Sequence, residues 1–387
     1  MMHFAERTGL TSAAPARRYL WTDAFAVCNF LGIERATGDA RYRELALRLV
    51  DQVHHELGRH RPDDPHRTGW ISGLADDEAQ AHPTRGGLRI GKPLPERATT
   101  EAPDPDREWG RDGQYFHYLT KWMHALDQLA RSTGQAKFNV WARELAHTAH
   151  HAFTYGPPGN KRMIWKLSID LSRPLVGSMG HHDPLDGFVT CTQLEATAAE
   201  LPPAVGPRLT AATADFAAML DREGLATNDP LGIGGLLVDA CRLTQLDARH
   251  ELIASLLAAT VTGLKRYGTE PDLRAPAHLR LAFRELGLAI GLAGVSMLGI
   301  DVPTRRLDGL GRADVPDLAK WVPLRGEIES FWLDPSSRRT STWIEHEDIN
   351  DVMLATSLVP EGFLVMGSPQ SADSTESTGS TAVAAKP

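Results

Sequence analysis

Three aspartates hold the same place relative to the apolar stretches that follow them. Asp23-Ala-Phe-Ala-Val-Cys28 aligns without gaps over Asp186-Gly-Phe-Val-Thr-Cys191, and Asp112-Gly-Gln-Tyr-Phe-His117 takes the same frame with His in the Cys place. Carboxylates at the N-terminal mouths of buried helices could ring the floor of a pocket. Glycoside cleavage needs two such groups beside a sugar bond, one protonated and one ionised. A recessed, aromatic-lined pocket raises one of the two pKa values by desolvation. The plainer reading is that an Asp near a helix start caps free N–H groups and complements the dipole, and repetition of the position adds to its weight. A second acidic group, Glu347-Asp348 with Asp351, follows Trp343 and His346 and opens the last apolar helix. Asp112 is the first expected catalytic carboxylate, with Asp186, Glu347 and Asp348 as its candidate partners.

Aromatic faces suit the apolar faces of sugar rings, and Trp N–H and Tyr O–H add polar handles. Trp21, Trp70, Trp109, Tyr115, Trp165 and Trp343 fall near the same helix openings, although core packing explains such residues equally well. The expected substrate contacts are Asp23, Trp21, Trp109, Tyr115, His117, His182, Trp343 and His346. His181-His182-Asp183 offers metal-ligand types, but adjacent histidines rarely both face one ion and no third ligand is identifiable. No metal or cofactor is therefore expected. Asp183-Pro184 and Asp229-Pro230 fit a helix cap followed by Pro at the first helical position. Arg284-Glu285 lies inside an apolar helix, where a charge is costly unless partnered.

The elements that must position these groups are helical. Arg17 to Thr37 reads as a helix apolar nearly all round, ended by Gly38-Asp39, and Ala40 to Arg59 as its one-faced partner. The stretch Glu108 to Ala130 opens with charged and Gly-rich residues, then takes a 3.6-residue apolar period, and it pairs with Lys137 to Phe153. Further pairs are Pro184–Leu201 with Leu209–Arg222, and Pro230–Leu246 with Ala248–Tyr267. Ala277–Leu298 has a partner somewhere in 312–334, and Glu345–Leu358 is a last inner helix with no convincing twelfth to match it. Residues 1–16 read as irregular. The stretches 60–110 and 155–182 read as long insertions on one face, and 60–110 holds enough apolar residues to be ordered, with room for a short hairpin. The low-complexity run 368–387 reads as disordered.

Helix–turn–helix units at a period of roughly 45–90 residues, with apolar first members and amphipathic second members, predict an all-α closed ring, an α/α toroid. An open superhelical stack is the other arrangement such units allow. With YLWTDAFA opening an inner helix and about six hairpins, residues 17–360 resemble the six-hairpin glycosidase-like superfamily. That resemblance implies a toroid shared by glucoamylase-like hydrolases, unsaturated glucuronyl hydrolases and N-acylglucosamine 2-epimerases. The epimerases' paired histidines have no matching motif here, and the Cys-His-Gly zinc motif of the related lantibiotic cyclases is absent.

The 387 residues carry a net charge of −8 and no basic patch, so nucleic acid is not an expected partner. The most apolar run, Leu286 to Ile300, is too short to span a membrane and contains four glycines. The N-terminus has no apolar signal region, and Cys28, Cys191 and Cys241 are widely spaced within apolar stretches, so a cytoplasmic chain with buried free thiols is expected. The leading expectation is a glycoside hydrolase acting on an oligosaccharide through paired carboxylates. A sugar epimerase using His117, His182 or His346 and a non-catalytic glycan- or protein-binding toroid are the alternatives.

Overall fold

The computed structural model describes residues 1–268, 271–298 and 318–367. Among these, six helices stand side by side as an inner ring: α2 (Leu20–Thr37), α6 (Phe116–Thr133), α8 (Asp183–Glu200), α10 (Pro230–Gln245), α12 (Ala282–Ala293) and α15 (Glu347–Leu358). Each packs on the next, and α15 packs back on α2, so the ring closes. Outside it lie α3 (Arg41–Leu57), α7 (Ala136–Phe153), α9 (Thr210–Met219), α11 (His250–Tyr267) and α13 (Pro323–Leu333), and the short α14 (Ser341–Ile344) leads into α15. The molecule is an α/α toroid.

Periodicity explains the two layers. In α2 every residue from Leu20 through Gly32 is buried, Asp23 and Asn29 included. In α3 burial is confined to one face carrying Leu45, Leu49, Val53 and Leu57. The first helix is enclosed on all sides and the second only from within. Gly38 and Gly134 end α2 and α6 in the left-handed conformation (φ 71° and 67°), which lets the chain reverse in a few residues. Gly291, in the apolar stretch 286–300, also has a packing reason. A Cβ on Gly291 would lie 2.7 Å from the Gly234 Cα, so α10 and α12 touch backbone to backbone.

The N-terminal segment differs from expectation. Met2–Arg7 forms a short helix, α1, with Phe4 and Ala5 buried, packed outside α15 where a sixth outer helix would stand. Arg7 ties it there, reaching Asp348 (2.9 Å) and Asp351 (2.8 Å). The run 368–387 lies outside the described residues, as does the first part of the 312–334 stretch.

The two insertions build a wall over one mouth of the ring. Residues 60–110 carry the short helices α4 (Asp76–Ala81) and α5 (Pro105–Glu108) and isolated bridges rather than a hairpin. Residues 154–176 form strands β2 (Thr154–Tyr155), β3 (Arg162–Met163), β4 (Lys166–Leu167) and β5 (Pro174–Val176). With β1 (Gln114–Tyr115), β4 and β5 make a small antiparallel sheet in the order β1-β4-β5. The insertions bind each other through Glu96, which accepts from the Ile169 N–H (2.6 Å) and pairs with Arg67 (2.5 Å). Asp112 is the buried anchor of this wall. It pairs with Arg89 (2.5 Å) and Arg61 (3.3 Å) and accepts from the backbone N–H of Gly91 (3.0 Å) and Gly113 (3.1 Å).

The opposite mouth is closed by the chain itself. After α15, the short helix α16 (Glu361–Leu364) turns into the ring and packs on α2, α6 and α10. Gly362 sits against α2 so closely that a Cβ there would strike the Cys28 carbonyl oxygen and come within 2.8 Å of the Gly32 Cα. Gly362→Ala should therefore destabilise the protein by about 1–3 kcal/mol through overpacking against backbone that cannot yield. Urea denaturation of the two proteins measures this, and an unchanged midpoint would mean that the turn can shift without loss.

Candidate functional site

Between the wall and the C-terminal turn lies a cavity of about 270 Å³ on the ring axis, with residues from all six inner helices in its lining. The polar residues concentrate on α6, α8 and α10, while α2 and α12 offer Trp21, Phe25 and Ile290. Phe363 of α16 closes it below. Trp165, which the wall places between β3 and β4, closes one side above.

Asp183 and Asp186 enter from the first turn of α8. Spaced i, i+3, they share one face with roughly 5–6 Å between their Cβ atoms. Their partners differ. Asp186 Oδ1 is 2.9 Å from the Lys121 ammonium. Among the described residues, Asp183 accepts only a backbone N–H, that of Gly180, at 3.1 Å. Burial, helped by the charge of Asp186, pushes the Asp183 carboxyl up to about 7, against weaker opposing pulls from the Gly180 N–H and Lys121. Burial raises Asp186 too, but the Lys121 ammonium, by attraction and hydrogen bonding, more than offsets it and holds that carboxyl below the usual range. Two neighbouring carboxyl groups thus prefer opposite protonation states near neutral pH.

Asp239 approaches from α10. Burial and the Asp186 charge raise it to about 6, although Arg242 lies 3.2 Å away. Arg242 also donates to Gln193 Oε1 (2.8 Å) and Thr190 Oγ1 (3.2 Å), binding α10 to α8 beneath the site. Asp229 at the rim pairs with Arg284 (2.8 Å). On α6, His117 receives the Trp165 indole N–H at Nδ1 (3.2 Å), and burial lowers it to about 4. It is therefore neutral at pH 7 with its proton on Nε2. His182 donates from Nε2 to the Leu225 carbonyl (2.9 Å), and burial lowers its pKa as well. Among the described residues, no three His, Cys, Asp or Glu side chains converge closely enough to hold a metal ion.

Of the residues the sequence singled out, the structure brings Asp186, His117, His182 and Trp21 together at this cavity. Trp109 and Tyr115 stand behind Trp165. Trp109 is 57% exposed and meets the Trp165 ring edge-on at 5.2 Å, while Tyr115 stacks on it at 5.3 Å. The others are elsewhere. Asp112 belongs to the wall, four residues before α6 begins at Phe116, so it does not share the helical position of Asp23 and Asp186. Asp23 is the fourth residue of α2, as Asp186 is of α8, but it folds back on the Tyr19 N–H (2.9 Å) beside Arg18 (3.5 Å) and does not line the cavity. Glu347 and Asp348 face outward, where Arg7 holds them. His346 packs against Phe283, and Trp343 is buried against Trp332.

Of the other residues lining the cavity, sequence reasoning passed over Asp239 and Lys121, read Asp183 mainly as a cap, and named Trp165 only among the aromatics near the helix openings. Asp183 and Asp229 read as caps, yet neither side chain caps its helix. The usable signal for Asp183 was its position three residues before Asp186. For Asp239 and Lys121 it was a charge on an inner helix. The same anomaly at Arg284-Glu285 resolves into two pairs reaching other elements, Arg284 with Asp229 and Glu285 with Arg280 (2.6 Å).

No protein-family profile matches the sequence, and no curated protein matches it. Solved structures do match the fold. The GH76 alpha-mannanase of Bacteroides thetaiotaomicron superposes with a TM-score of 0.51 at 7% identity, covering 89% of this chain and 86% of that one. Cellobiose 2-epimerase from Spirochaeta thermophila gives 0.47 at 12% identity, covering 89% and 87%. The first likeness is one of fold, in line with the toroid described above.

The raised Asp183 carboxyl links stability to pH. It binds its proton more tightly folded than unfolded, so its contribution is fully present below 3.8 and is lost as pH rises through about 7. Asp183→Asn keeps an acceptor for the Gly180 N–H but cannot titrate. Between pH 5 and 8 the wild type should lose about 1–3 kcal/mol relative to this variant. Urea midpoints across that range measure it, and parallel curves would show that Asp183 is ionised throughout.

Proposed function

We propose that the axial cavity is the active site of a carbohydrate-active enzyme that hydrolyses a glycosidic bond. The observation that carries this reading is the pairing of Asp183, held protonated to about pH 7, with Asp186, held ionised by Lys121, on one face of α8. Asp183 donates its proton to the departing glycosidic oxygen, and a water then adds to the anomeric carbon and returns a proton to the Asp183 carboxylate. Asp186 supplies the negative charge that the oxocarbenium-like transition state requires. Lys121 keeps Asp186 charged. The faces of Trp21 and Trp165 take the apolar faces of the sugar, and the neutral His117 offers an Nε2 proton to a hydroxyl rather than acting as a base. The fold likeness to an alpha-mannanase is compatible with this chemistry but does not select it.

A second reading has one observation in its favour. With the His182 Nε2 proton committed to the Leu225 carbonyl, Nδ1 is the basic nitrogen of a histidine in the cavity wall. Proton transfer at a sugar carbon, as in an epimerase, would use it.

Both are tested by incubating the protein with neutral gluco- and manno-oligosaccharides of two to six units, in both anomeric configurations, and analysing the products. Chain shortening supports hydrolysis, and an unshortened epimer supports the second reading. For hydrolysis, kcat should fall as pH rises through about 7, where Asp183 loses its proton. Asp183→Asn should cost about 10²–10⁴-fold in kcat, with substrate still bound. A variant retaining near wild-type turnover would remove Asp183 from the chemistry.

A further inference from the structure

The last described turn of the chain decides how deep the cavity is. Phe363 stacks on Phe25 of α2 with ring centroids 4.4 Å apart and planes 15° from parallel, and it meets His124 edge-on at 4.8 Å. Both phenylalanines line the cavity. The turn that carries Phe363 is fastened from two inner helices. From α6, His124 Nε2 donates to the Phe363 carbonyl (2.9 Å), and Gln128 donates to the carbonyls of Gly362 (2.9 Å) and Val365 (3.0 Å). From α10, Gln245 donates to the Leu364 carbonyl (2.8 Å) and accepts from the Met366 N–H (2.8 Å). These same two helices present Lys121 and Asp239 to the cavity, so the floor is fastened to the helices that carry these two charges.

Resting on the glycosidase reading, we infer that Phe363 is a depth stop that makes the enzyme act on chain ends, admitting one terminal sugar unit and releasing it singly. A bond in the interior of a chain could reach Asp183 and Asp186 only if the chain continued past the floor, and Phe363 occupies that path. The floor presents the rings of Phe25 and Phe363. A charged substituent at the tip of the entering unit would lose water there without gaining a partner, so the admitted unit is neutral.

The test follows products over time from reducing-end-labelled tetra- to hexasaccharides of the panel above. It uses the full chain as wild type, Phe363→Leu and Phe363→Ala, each first shown to melt cooperatively. Wild type should release only monosaccharide from the first time point. The two variants should raise the disaccharide-to-monosaccharide ratio in the order Leu then Ala, by about tenfold or more for Ala, the scale on which a pocket wall rejects an extra group. Phe363→Leu keeps an apolar floor, so the result does not depend on the alanine variant folding. Internal cleavage by wild type, or an unchanged ratio in both variants, would overturn the depth stop while leaving the hydrolase reading in place. If wild type shortens none of the oligosaccharides, the hydrolase reading falls and takes the depth stop with it.

Discussion

A ring of packed helices leaves an axis that no helix fills, and whatever enters it must either pack or be paired. Much of this molecule answers that constraint. One end of the axis is filled with backbone and an aromatic ring from the chain's own C-terminal turn. The other is left hollow and lined with carboxyl groups. Carboxyl groups in a hollow, half-desolvated axis cannot all ionise. Where a cation is at hand, as Lys121 is for Asp186, the charge stays. Where only a backbone N–H is offered, as to Asp183, the proton stays.

The wall and the floor do different work. The wall is made of long loops held by buried charge pairs such as Asp112 with Arg89 and by a three-stranded scrap of sheet. It contributes Trp165 to the cavity, set in place by the Tyr115 stack behind it and by its indole N–H on His117, together with the Gly180–His182 end of the second insertion. The floor is built on the inner helices themselves and is stitched by side-chain amides to carbonyls. Changes in the wall would alter what approaches the cavity, and changes in the floor what fits inside it.

The N-terminus completes the outer layer in an economical way. A six-residue helix stands outside α15, fixed by Arg7 among three carboxylates. This pairing accounts for the acidic opening of the last inner helix. Glu347, Asp348 and Asp351 face a cation on the outer side of the ring, so the same residue types that would suit an active site here hold the N-terminal helix to the last inner helix.

The layered helical architecture was legible in the sequence, because it depends on local patterns. Helices apolar all round must be enclosed, one-faced helices must lie outside, and Gly38 and Gly134 mark the reversals. The shared position of Asp23 and Asp186 was legible for the same reason, since it is a distance along a helix from its start. What the sequence could not determine was which carboxylates meet. Asp112 matched the repeat in residue type, but its helix begins four residues later, so the loop claimed it. Asp183 looked like a cap because Pro follows it, yet its side chain lines the axis. Asp23 and Asp186 occupy equivalent places, but Arg18 and the Tyr19 N–H take one while Lys121 from the neighbouring helix takes the other. Protonation and placement at this cavity depend on side chains supplied by elements far apart in the chain, and only closure of the ring brings those elements together.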